Sequence, residues 1–220
     1  MKPEEIDEAL QLLAPIVSHE LRNPMAVIKN SSYFIKTKLG NLGVRDEKVA
    51  RHLSIIESEL THANDVLEEI LLYCRMKEPK LAPYSLRQIV DTARAGVALP
   101  DGTLIESEYA DGGARVEADP ELAVKALAHL IRNAVQAASL DEDAEIRIET
   151  AADGSVRVAD TAGGVPQEAL ARLFEPFNTT KPKGIGLGLA YVKKALGKMG
   201  ASVSLEPGEE TVFSIRFKKA

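Results

Sequence analysis

The chain has a single cysteine, Cys74, and no tryptophan. One Cys makes neither an internal disulfide nor a thiolate zinc site, so nothing here implies an oxidising compartment. No stretch approaches the roughly 20 consecutive apolar residues that a membrane helix requires. The opening Met1-Lys2-Pro3-Glu4-Glu5 lacks the charged-then-apolar plan of a signal peptide. Basic residues are in deficit: 27 Lys and Arg against 33 Asp and Glu leave a formal charge of −6 at pH 7. That argues against a general nucleic-acid binder, which needs a basic face to replace counterions around phosphates. These absences describe a protein, or a piece of one, that is soluble and cytoplasmic.

Glycine and proline are scarce in one part only. Residues 1–78 hold 2 of the 15 Gly and 3 of the 11 Pro. The expectation is a helical segment followed by a mixed α/β domain. Charge divides evenly, 10 basic and 13 acidic residues before position 79 and 17 and 20 after it, so neither part is a basic arm or an acidic tail. In the first part Val49, Leu53, Ile56, Leu60, Ala63, Leu67, Ile70 and Cys74 form an unbroken heptad seam. Ile6, Leu10, Leu13 and Val17 begin the same pattern earlier, with a bend expected at Gly40-Asn41-Leu42-Gly43. Two such helices paired alone bury one face each, and dimerisation into a four-helix bundle completes the core.

The domains are read as 1–78, a linker at 79–84 and a second domain at 85–220. In the second, Ser85 has capping-box spacing to Gln88 and opens a helix that Gly96 closes. Short strands are expected at 104–109 and 114–118. Asp119-Pro120 starts a helix through Ala138. Ile146/Ile148 and Val156/Val158 alternate around Asp153-Gly154 as a hairpin. A helix from about Ile185 to Met199 precedes a last pair of strands, 202–206 and 211–217. The expectation is a mixed sheet covered by helices.

His19 lies about 200° around the helix from Val17 and so leaves the apolar stripe. With Glu20 beside it, it has the parts of an activated nucleophile, nitrogen to attack and carboxylate to hold the tautomer and take the proton. An ordinary surface histidine fits the spacing equally. Pro24 removes a helix hydrogen bond and loosens the turn. Farther on, Asp160 ends a strand before Thr161-Ala162-Gly163-Gly164, and Gly184-Ile185-Gly186-Leu187-Gly188-Leu189 opens a helix. Glycines let backbone N–H groups approach a phosphate, and a helix start favours an anion; a flexible turn explains such a run as well. No Gly-Lys-Ser or Gly-Lys-Thr P-loop occurs, and no βαβ unit encloses the glycines. Asn133, in mid-helix, is either a structural Asn or a ligand whose carbonyl suits Mg²⁺. Phe174 and Phe177 read as an aromatic plug, and Asn178-Thr179-Thr180-Lys181 as a polar run suited to phosphate.

Together these motifs resemble the catalytic core of a bacterial two-component sensor histidine kinase, over almost the whole chain. Ser18 to Pro24 is similar to the family's H box and the run around Asn133 to its N box. Asp160 to Gly164 and Gly184 to Leu189 resemble its glycine boxes, and Phe174 to Phe177 its F box. The resemblance implies an α+β chain: an antiparallel helical hairpin, a four-helix bundle as a homodimer, then an α/β sandwich of the histidine kinase/gyrase ATP-binding type. It implies His19 as phosphoacceptor and Glu20 as base, with Asn23 giving a second, phosphatase activity. Asp160 would bind the adenine amino group and Asn133 would hold Mg²⁺. Gly164, Thr179, Thr180, Lys181, Gly184, Gly186, Leu187 and Gly188 would surround ATP. The partner implied is a response regulator receiver domain, with no nucleic acid and no membrane contact from this segment. The chain would be cytoplasmic, as a piece of a membrane receptor or a kinase taking its input from another protein. Two positions depart from the pattern: His129 replaces the first Asn of the N box, and Ala162 the first Gly of its box. They favour an alternative, a degenerate kinase acting as a dimeric scaffold or phosphotransfer module without ATP chemistry.

Overall fold

The computed structural model describes residues 3–100, 102–110, 112–141, 143–179, 181 and 184–220, with Thr180 outside that set. It divides into two compact units, one ending at Met76 and the other starting at Lys77.

The first unit is an α-hairpin of α1 (Pro3–Asn41) and α2 (Glu47–Cys74). α1 runs on through Pro15 and Pro24. Gly43, at φ 66°, turns the chain. Asp46 then caps α2, its carboxylate accepting from the N–H groups of Lys48 (2.9 Å) and Val49 (3.1 Å). Ion pairs tie the helices at two levels: Lys36 to Glu57 (3.0 Å) and Arg22 to Glu68 (2.5 Å). On α2 the heptad residues Leu53, Leu67 and Cys74 are buried, as is Leu71. On α1 the buried positions are small, Ala14, Ser18 and Ser32. The stripe expected to form the first helix's seam instead leaves Leu13 and Val17 exposed, 57% and 47%. Ala and Ser let the two backbones approach, and the larger side chains are left for another surface.

The second unit places five strands in the order β2-β4-β5-β7-β6: β2 (Ile105–Ala110), β4 (Ile146–Ala151), β5 (Ser155–Asp160), β7 (Thr211–Arg216) and β6 (Ser202–Glu206). Only β2 and β4 run parallel; the other pairs are antiparallel. A second, two-stranded sheet pairs β1 (Ala82–Ser85) with β3 (Arg115–Ala118). Residues 82–84, expected in the linker, therefore belong to a strand, whose partner is too distant in sequence for periodicity to reveal. Helices α4 (Pro120–Ala138) and α6 (Gly188–Lys198) pack together against the large sheet, α3 (Leu86–Ala95) packs on α4 and β1, and α5 (Gln167–Leu170) is a single turn. Ser85 accepts from Gln88 N–H and Asp119 from the N–H groups of Glu121 and Leu122, which fixes two of the helix starts.

Alternation builds the core. Ile146, Ile148, Val156, Val158 and Ile215 are each 1% exposed or less beneath α4 and α6. The outward positions carry charge instead: Arg157 bridges Glu149 across the strand pair (2.8 Å) and Glu206 (2.7 Å). Among the described residues no helix is long and apolar enough to cross a membrane.

Candidate functional site

The hairpin presents one reactive group. His19 and Glu20 are exposed, 75% and 72%, with His19 Nδ1 3.3 Å from Glu20 Oε1. With the proton on Nδ1, that nitrogen donates to the carboxylate and the Nε2 lone pair faces solvent, a nucleophile with its base attached. Ser18, the residue before, is buried at 2%, so α1 turns its small side chain inward and its imidazole outward at successive positions. Asn23, four residues on, is also exposed.

A second cluster lies in the other unit, at the end of β5 and the start of α6. Asp160 is only 4% exposed. Burial raises its pKa, opposed by the hydrogen bonds it accepts from Ala162 N–H (3.3 Å) and the Thr211 hydroxyl. Thr211 is a site residue that reading the sequence missed. It stands opposite Asp160 in the β5–β7 register, a pairing that only the folded sheet reveals. Ala162 needs no left-handed backbone, since Phe177 is the one described non-glycine residue with positive φ; its N–H serves the carboxylate and its methyl strains nothing there. Gly163 and Gly164 supply the positive φ values, 95° and 79°.

Lys181 is drawn onto α4. Its ammonium donates to Gln136 Oε1 (2.6 Å) and Asn133 Oδ1 (3.2 Å). Desolvation lowers its pKa, and the Asp160 carboxylate opposes that shift. Gln136, one turn after Asn133, is a second residue the sequence reading passed over, although its i+3 spacing puts it on the same face. Thr179 Oγ1 accepts from Lys181 N–H (3.0 Å).

The second glycine run is packed, not loose. The Phe177 N–H donates to Gly186 O (3.0 Å), and Gly186 has φ +71° with Asn178 backbone atoms 2.6 Å from where a Cβ would sit. A Cβ on Gly184 would meet Thr179 Oγ1 at 2.9 Å, and one on Gly188 would meet His129 Nδ1 at 3.3 Å. α6 begins at Gly188, three residues after the expected start, because the Gly186 turn precedes it. Leu187 is 1% exposed, so its side chain belongs to the core and only its backbone can face the loop. Of the two aromatic residues expected as a plug, Phe174 packs edge-on against Phe213 (6.3 Å) while Phe177 is 47% exposed.

His129 is packed. It is 6% exposed and lies 5.0 Å from the Tyr191 ring, and its Nε2 has no hydrogen-bond partner. Burial, with the Arg132 charge adding to it, lowers its pKa to about 3, so the ring is neutral. On this helix it is Asn133 and Gln136, and not His129, whose polar atoms meet Lys181.

A scan of family models matches residues 9–79 to the His Kinase A (phospho-acceptor) domain and residues 118–220 to the Histidine kinase-, DNA gyrase B-, and HSP90-like ATPase. Among curated proteins the chain is 29% identical to sporulation kinase A of Bacillus subtilis, covering 100% of this chain and 36% of that protein. It is 26% identical to the sensory histidine kinase/phosphatase NtrB of Rhodobacter capsulatus, covering 92% of this chain and 60% of that one. The chain thus spans from about a third to three-fifths of these two relatives. A solved structure of full-length ShkA in complex with AMPPNP superposes at a TM-score of 0.66 with 22% identity, over 100% of this chain and 47% of that one, which is a likeness of fold. The chain therefore belongs to the sensor histidine kinases, whose phosphoacceptor hairpin and ATPase domain it contains in that order.

Proposed function

We propose that the chain is an ATP-dependent protein-histidine autokinase. The observation that carries this is the His19–Glu20 pair, with Nδ1 turned to the carboxylate and Nε2 left open. Nε2 attacks the γ-phosphorus, the bond to the β,γ-bridging oxygen breaks with its electrons leaving on ADP, and the Nδ1 proton passes to Glu20. Phosphoryl transfer of this kind depends mainly on alignment and charge neutralisation. Asp160 and Thr211 present an acceptor and a hydroxyl suited to the adenine amino group. Gly164, Gly184, Gly186 and Gly188 permit the close-packed backbone turns that would surround the phosphates.

The residues present fit Mg²⁺. Two amide oxygens, from Asn133 and Gln136, already converge on one cation, the Lys181 ammonium. Two neutral oxygens suit an ion that keeps phosphate and water ligands, and no group of three His, Cys, Asp or Glu stands ready for another metal among the described residues. When bound, the ion supplies neutralisation of phosphate charge; Asn133 would hold it.

The exposed Leu13, Val17, Ile28 and Ile35 on α1 suit a second copy of the hairpin, giving a homodimeric four-helix bundle. The phosphoryl group would then pass to an Asp of a response regulator receiver domain. The exposed amide of Asn23 supports a second, phosphatase activity as well, by placing a water that attacks the regulator's aspartyl phosphate and releases inorganic phosphate.

Incubation with γ-labelled ATP and Mg²⁺ tests this. Acid-labile label should appear on the chain and be absent from His19→Gln. A folded, dimeric wild-type chain that stays unlabelled would leave the scaffold alternative. In the same assay with a labelled regulator, Asn23→Ala should slow loss of the regulator's phosphate; an unchanged rate removes the second activity.

A further inference from the structure

We propose that Arg22 is the positioning residue that receives the phosphoryl group on His19, and that Glu68 holds it in reserve until then. This rests on His19 being the phosphoacceptor. Arg22 follows His19 by three residues, so the two side chains are neighbours on the surface of α1. Long helical side chains lean toward the N-terminus, so the Arg22 guanidinium has the turn of His19 within its reach. In the resting structure it is held on α2 instead: Nη2 donates to Glu68 Oε1 at 2.5 Å.

Charge gives the arrangement its direction. Before reaction Glu20, Arg22 and Glu68 sum to −1 around a neutral imidazole. Reaction replaces that imidazole with a group bearing up to about two negative charges, so the same cluster approaches −3. The Arg22–Glu68 pair is exposed, 43% and 68%, and exposed pairs are weak enough to exchange. A guanidinium also offers a planar fork that matches phosphoryl oxygens two at a time. Phosphorylation therefore draws Arg22 from α2 to α1 and releases Glu68. The tie between the two helices at that level becomes a readout of the state of His19.

The test does not depend on ATP. The full chain is phosphorylated by phosphoramidate, in which the N–P bond to Nε2 forms as ammonia leaves, and the phosphohistidine resonance that is absent from His19→Gln is followed by phosphorus NMR against pH. Whichever group takes up the proton, an adjacent cation lowers the titration midpoint. The midpoint in Arg22→Gln should lie about half a pH unit above wild type, a threefold change in proton affinity at an exposed, screened site. Glu68→Gln should lower it more in the presence of Arg22 than in the Arg22→Gln background. Equal midpoints in wild type and Arg22→Gln overturn the proposal. A second measurement needs no variant: the Arg22 Nε–H resonance should shift on phosphorylation, and an unmoved resonance overturns it too. Should ATP fail to label His19 while these shifts appear, the autokinase reading falls and this one stands.

Discussion

Replacing Gly186 by alanine tests whether the turn before α6 is held by backbone geometry. An alanine Cβ there would lie 2.6 Å from Asn178 O, 2.7 Å from Asn178 N and 2.7 Å from Phe177 C. All three are backbone atoms, so no side chain can rotate away. The residue also sits at φ +71°, which costs an L-residue about 1–2 kcal/mol. Overpacking of this kind adds about 1–3 kcal/mol, so a total near 3 kcal/mol is the working figure. The chain can relieve it only by opening the Phe177–Gly186 hydrogen bond, which spreads the loop that would wrap the phosphates. If that strain is released in the free protein and must be restored on binding, 3 kcal/mol is about a hundredfold in affinity. Calorimetric titration with a non-hydrolysable ATP analogue and Mg²⁺, in a His19→Gln background, reads it directly. Gly197→Ala is the control. It lies within α6 with no atom within 4 Å of its Cβ position, and it should leave affinity unchanged while stabilising the fold by about 0.5–1 kcal/mol. Binding by Gly186→Ala within twofold of wild type would refute the reasoning.

Two further predictions concern buried titrating groups. The folded pKa of His129, about 3, lies below its ordinary 6.5, so the unfolded chain takes up the proton first and stability is lost as pH falls below 6.5. By pH 5 the loss from this residue is about 2 kcal/mol, one and a half units at about 1.4 kcal/mol each. Urea unfolding at pH 7.5 and 5 should show that component in wild type and not in His129→Leu; an equal loss in both would acquit the histidine. Asp160 has the opposite sign for an acid: its folded pKa is raised above 3.8 by burial, so ionisation costs stability as pH rises through that window. Asp160→Asn should raise the melting temperature of the nucleotide-free chain at pH 7.5, with the gain shrinking toward pH 4, and should abolish nucleotide binding. A lower melting temperature at pH 7.5 would contradict the cause given for the shift.

Much of this architecture was legible because its signals are local. Ser85, Asp119 and the Asp153-Gly154 turn act within a few residues of themselves, and each appears where the sequence puts it. Alternation at Ile146/Ile148 and Val156/Val158 likewise reports which side of a strand is buried. What escaped was set by distant partners. Thr211 reaches Asp160 only because β5 pairs with β7. Residues 82–84 become a strand only because β3 lies alongside. On α1, hydropathy pointed to Leu13 and Val17, whereas close packing against α2 selected Ala14, Ser18 and Ser32. Size, and not apolar character, decided that face. At the site, residue types were readable, but the convergence of Asn133 and Gln136 on Lys181 belongs to tertiary structure.

The strand order also separates the two ends of the candidate nucleotide site. Asp160 and Thr211 sit on β5 and β7, an adjoining pair inside a sheet of five, so exposing them to solvent exchange requires the domain's core to come apart. On the loop side, among the described residues, the Phe177 N–H is bonded to Gly186 O and Lys181 is held by Thr179, Gln136 and Asn133. Amide protons around Asp160 should therefore exchange with the energetics of global unfolding, and that of Phe177, held by its bond to Gly186, through a smaller, local opening. On the proposed function, one end of the site is then a fixed reading head for the base, and a nucleotide would let go of its phosphates without the protein surrendering that surface.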